Sequence, residues 1–201
     1  MFSLFVLLML PADREAFDEL AFMNPPAAAS TAEAEVHAHS LSVFAEAVMA
    51  RLNQFPESLP RYPNAVTVAT LDQNPRYAPV LPASYNPTMP WRAYLLPVKE
   101  AGSGVAATET DPGIGAVVAY VNQANLPRTM RPVDIARGLR LTAGGQVTVG
   151  LLSQGSLLTD SFTHPGVERG FGRLRGLPFD QTTQNAPAIV ICLSQEYCGA
   201  G

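Results

Sequence analysis

The sequence predicts an α+β fold: one long amphipathic helix packed on a small, mainly antiparallel β-sheet. Three observations predict it. Apolar residues at Leu41, Phe44, Val48, Leu52 and Phe55 step by three and four, the spacing of one helix face. After Pro56 the pattern changes to short β-branched and apolar runs bounded by turn residues, which reads as strands. The 18 prolines and 15 glycines are spread along the chain, favouring short strands and punctuated loops over a helical bundle.

Composition bounds the function. The chain has 201 residues, 47% hydrophobic and 15% charged, enough to bury the core of one ordinary domain and to exclude wholesale disorder. The net charge is −4, which argues against a general nucleic-acid binder with its basic face. Two cysteines cannot build a four-cysteine zinc site. The charge is uneven: residues 1–60 hold eight acids and two arginines, the remainder nine acids and eleven bases. That is an ordinary solvated surface or head-to-tail complementarity in an assembly.

Residues 1–26 read as a short apolar anchor or signal-like segment with a linker, and residues 27–201 as a single α+β domain. The apolar run at residues 2–10 ends at Pro11 and the acids that follow; it is too short to span a bilayer, which takes about 20 residues. No Lys or Arg precedes it, as a standard signal peptide requires. Three readings are open: a degenerate export signal or anchor, the remnant of a longer anchor, or a short helix packed on the domain. An exposed stretch this apolar is otherwise an aggregation liability, which favours membrane association through residues 2–10.

Asn24-Pro25-Pro26 reads as a break. Ser30 and Glu33 fit a capping box, so the helix is expected from about Thr31 to Gln54, ended by Pro56. Strands follow at residues 65–70, 91–96, 115–121, 146–152 and 188–193, with residues 156–159 pairing back. Residues 74–90 form a Pro-rich loop, 132–139 a short helix with Pro132 near its first position, and 143–145 and Gly155 turns. Residues 161–186 are expected to be irregular.

Chemistry-bearing residues are sparse. His37 and His39 are two apart, not the four of a helical zinc pair, and are expected on the helix surface. His164 stands alone before Pro165. Ser153 misses the G-x-S-x-G elbow by one residue. The glycines at 170, 172 and 176 depart from the dinucleotide fingerprint. The sequence therefore predicts no catalytic residue, no cofactor and no metal ligand. Arg169, Phe171, Arg173 and Arg175 form the densest basic cluster, either a solvated loop or a protein-docking loop, since arginine and aromatics are enriched at interfaces. Cys192 and Cys198 lie six apart and are either a small disulfide or two free thiols; the export-like N-terminus favours the disulfide. Such a short loop gains about 2 kcal/mol of chain entropy and would pin the last residues to the sheet edge.

The Ala/Glu-rich helix at residues 32–48 resembles the helix after the membrane anchor in the PilM family of type IVb, or thin-pilus, assembly proteins. The Pro-punctuated stretch Leu81-Pro82-Ala83-Ser84-Tyr85, the Trp strand at residues 91–94 and the Pro-then-apolar run at residues 185–191 are similar to that family's order of elements. The resemblance implies a pilin-like fold and a non-enzymatic component of a type IV pilus or related secretion machine, a pilin-like or basal-body subunit. Its partners would be other pilus or secretion subunits, with no nucleic acid, and its place the periplasmic face of the inner membrane. No prepilin-peptidase signature occurs, so a processed major pilin is not expected. A phage or envelope structural protein is the alternative, and a small exported hydrolase a third reading that requires convergent Ser or His groups.

Overall fold

A computed structural model describes residues 25–72, 76–97, 113–142, 147–153, 156–158, 170–173 and 185–193. The chain divides into Met1–Glu33 and Ala34–Gly201. Of the first unit, the described part is helical from Pro25; the packing below is that of the second.

Helix α1 spans Pro25–Gln54, about 45 Å at 1.5 Å per residue. It begins six residues before the expected start, so Ser30 is inside the helix and does not cap it. Pro25 and Pro26 open the first turn instead of breaking the chain, since a proline there gives up only an N–H that lacks a helical partner. Leu41, Phe44, Val48 and Leu52 are buried as the spacing predicts. Phe55, just past the helix, is half-buried and packs on Tyr77 with ring centroids 4.4 Å apart. His37 is only 8% exposed, a correction to the surface placement: it lies one turn before Leu41, on the buried face. His39 is exposed as expected.

Among the described residues seven strands form one sheet in the order β1-β2-β3-β7-β4-β5-β6, with every pairing antiparallel. They are β1 Val66–Thr67, β2 Arg92–Pro97, β3 Ile114–Tyr120, β4 Val147–Ser153, β5 Ser156–Leu158, β6 Gly170–Arg173 and β7 Ala186–Cys192. The last strand is central: Ile189 stands opposite Ala119 on β3 and Val149 on β4. Cys192 therefore sits in the middle of the sheet, opposite Ala116, and not at its edge.

Alternation divides the strands between two cores. Ala93, Leu95, Val117, Ala119, Val149 and Ile189 share the core of the α1 stripe. Leu96, Val118, Leu152, Leu157 and Val190 belong to a second buried cluster, against which Tyr62 packs. Burial on both faces explains why residues 115–121 and 186–191 are apolar without alternation.

Two short α-helices and two 3-10 turns, Pro56–Ser58 and Gln123–Asn125, complete the order among the described residues. Helix α2 is Val68–Asp72 and helix α3 Pro132–Thr142. Ile135 and Leu139 join α3 to the α1 core. Helix α2 replaces most of the strand expected at residues 65–70. Its cause is a reciprocal cap: Thr70 N donates to Thr67 Oγ1 at 3.3 Å and Thr67 N to Thr70 Oγ1 at 2.7 Å, the geometry of a capping box with threonine in the acidic position. Strand β6 also corrects the irregular reading of residues 161–186, because Leu157 and Leu158 pair with Phe171 and Gly170. The expected turns at 143–145 and Gly155 lie outside the described residues.

Candidate functional site

Polar positions on the inward side of α1 hold the Pro-rich arm. Trp91 Nε1 donates to Ser40 Oγ at 3.0 Å, Ser40 Oγ donates to Tyr85 OH at 3.3 Å, and Tyr85 OH donates to the Ser40 carbonyl at 3.2 Å. Trp91 and Ser40 are buried, so each polar atom needs such a partner. Burial pushes the Tyr85 phenol above its usual range, against the opposing pull of its Ser40 and Trp91 hydrogen bonds. Among the described residues no imidazole or carboxylate hydrogen-bonds to Ser40. The arrangement positions the arm on α1.

Arg51 is the second fastening. Its side chain is 2% exposed, yet no carboxylate among the described residues pairs with it. Nη2 donates to the carbonyls of Leu71 at 3.1 Å and Ala78 at 3.0 Å. The guanidinium lies 5.2 Å from the centroid of the Tyr77 ring, a cation–π contact that supplies part of the lost hydration. Nη1 has no hydrogen-bond partner among the described residues. Arg51 thus ties the carbonyls of Leu71 and Ala78 to the end of α1.

A third cluster lies on the loop after β3 and on α3. Arg131 meets Asp134 through two hydrogen bonds, 2.8 and 2.9 Å, and Arg137 reaches the same carboxylate at 3.6 Å. The Asp134 hydrogen bonds and charge hold the Arg131 guanidinium above its usual range. Arg128 and Arg140 are exposed, and Arg128 lines a cleft of about 500 Å³ together with Asn122, Gln123 and Met130. Leu141, beside Arg140, is 80% exposed.

The structure treats the residues singled out from sequence unevenly. Cys192 is half-buried at the end of β7; Cys198 lies outside the described residues. Phe171 and Arg173 belong to β6, while Arg169, Arg175, His164 and the apolar run at residues 2–10 lie outside the described residues. The docking-loop cluster is therefore part strand in backbone. Among the described residues no three His, Cys, Asp or Glu side chains converge, and no helix is long and apolar enough to cross a membrane.

Sequence reasoning passed over Ser40, Arg51 and the α3 arginines. A signal for Arg51 was present: it follows Val48 by three and precedes Phe55 by four, which sets a cation on the apolar stripe. The arginine spacing 128, 131, 137, 140 was equally visible. No family model, curated protein or solved structure matches the chain.

Proposed function

We propose that the chain is a non-enzymatic, pilin-like or basal-body subunit of a type IV pilus or related secretion machine, held at the periplasmic face of the inner membrane. The observation that carries the reading is the burial of the α1 stripe Leu41, Phe44, Val48 and Leu52 with the inner residues of an antiparallel sheet. That is the helix-on-sheet body the PilM resemblance implies. The two fastenings of the Pro-rich arm to α1 suit a rigid structural module. Residues 2–10 supply the membrane association in this reading, and Cys192 pairs with Cys198 in the oxidising periplasm. Thiols of the native protein that label only after reduction support the pairing; labelling without reductant removes it.

The mechanism is physical. A rigid sheet presents its loops and α3 to neighbouring subunits, and the acidic N-terminal part and weakly basic remainder orient them. Deletion of the gene tests the function: the expected result is loss of surface pili with pilin synthesis unchanged. Normal pilus number on the deletion strain overturns the reading and leaves the phage or envelope structural alternative.

A further inference from the structure

We propose that the α3 rim, Arg128, Arg131, Arg137 and Arg140 with the protruding Leu141, docks on the anionic headgroups of a lipid bilayer. The proposal uses none of residues 2–10 and does not depend on the pilus reading.

The local charge opposes the global one. The chain carries −4, yet residues 128–140 contain four arginines and one aspartate, a net +3. Helix stability does not account for this. The helix dipole favours a cation at the C-terminal turn, which explains Arg140, and an anion in the first turn, which explains Asp134. It disfavours cations at the N-terminal end, where Arg128 and Arg131 stand. The side chain of Arg131 is 73% exposed and that of Arg137 53%, so both reach solvent while Asp134 fixes them side by side. Guanidinium groups match phosphate oxygens in planar, paired hydrogen bonds.

Leu141 supplies the second, independent feature. It is the most exposed of the large apolar side chains among the described residues. On α3 it follows Arg137 by four, so the two are neighbours on the outward face, with Arg140 adjacent in sequence. An apolar tip among arginines is the pattern of a surface that enters the boundary between headgroups and acyl chains. The cleft lined by Asn122, Gln123 and Arg128 lies on the same loop and adds hydrogen-bond donors for a phosphate. A bilayer surface satisfies both features, offering phosphates at any spacing and hydrocarbon for Leu141. A second copy of the chain would meet the arginines with the exposed α1 carboxylates Glu35 and Glu46, and it predicts self-association instead.

The test is co-sedimentation of the full chain with phosphatidylcholine vesicles, neutral or carrying about one-third phosphatidylglycerol. The expected result is binding more than about tenfold stronger to the anionic vesicles, lost as salt rises from about 0.1 to 0.5 M. Arg128→Gln with Arg140→Gln, which leaves the Asp134 bridges intact, weakens anionic binding roughly twenty-fivefold, at about fivefold for each arginine. Leu141→Ser weakens it severalfold, and its thermal midpoint checks that the fold is kept. Equal binding to neutral vesicles, or anionic binding unchanged by both variants, overturns the proposal and assigns adsorption to another part of the chain. Absence of vesicle binding overturns it too, and self-association abolished by the arginine variant then assigns the rim to a second copy.

Discussion

Gly138 of α3 faces Ala38 of α1 so closely that a Cβ added to the glycine would lie 2.9 Å from the Ala38 Cβ. Both residues are buried, and neither atom is the tip of a flexible side chain. Alanine raises helix propensity by about 1 kcal/mol over glycine, but overpacking costs about 1–3 kcal/mol. The second effect wins here, because only backbone movement relieves the contact. Gly138→Ala is expected to lower stability by about 1 kcal/mol in urea denaturation. An unchanged or higher midpoint would show that the helices separate freely.

Phe44 is fully buried in the core shared by α1 and the sheet. Phe44→Ala removes its apolar area and leaves a cavity, for an expected loss of about 3–5 kcal/mol. Equilibrium denaturation measures it, and a loss below about 1 kcal/mol would contradict the placement of α1 on the sheet.

Arg51 invites the expectation that an apolar residue would stabilise, since a buried charge is costly. That gain requires both partners to be replaced. Here the acceptors are the backbone carbonyls of Leu71 and Ala78, which no side-chain substitution removes. Arg51→Met is therefore expected to cost about 1–3 kcal/mol, chiefly through the buried Leu71 carbonyl left without a donor, since Ala78 is exposed and its carbonyl can turn to water. Faster amide exchange over residues 76–80 locates the opening. A variant as stable as the parent would mean that Arg51 does not fasten the arm.

Tyr85 sets an alkaline limit. Its folded-state value is raised above 10.0, so between that value and the folded one the unfolded chain releases a proton that the folded chain keeps. The contribution is fully present below about pH 10 and is lost as pH rises through the folded value. Tyr85→Phe should lower stability by about 1 kcal/mol at neutral pH through the lost hydrogen bond and make the decline above pH 10 shallower. Parallel stability profiles for parent and variant would contradict this role.

The helix and most strands were legible because their signals are local and repeated. Leu41, Phe44, Val48 and Leu52 mark α1 by spacing alone, and the runs at 115–121 and 188–193 are apolar enough to be strands. The order of the strands was not legible, because placing β7 between β3 and β4 depends on long-range pairing that no local pattern encodes. Residues 65–70 misled for a different reason: Val66, Thr67 and Val68 favour strand, but the Thr67–Thr70 side chains offer the backbone a cap that begins a helix. The polar fastenings escaped because Ser40 and Arg51 are residue types expected at the surface. Their burial follows from partners 45 and 51 residues away for Ser40, and 20 and 27 for Arg51.

The claim of a subunit at the periplasmic face of the inner membrane is tested most directly in spheroplasts of the native host. Fractionation with added protease reads both the membrane and the side. The account predicts recovery of the intact protein with the inner membrane and its digestion by protease added outside. Recovery in the soluble cytoplasm, protected from that protease, would contradict it.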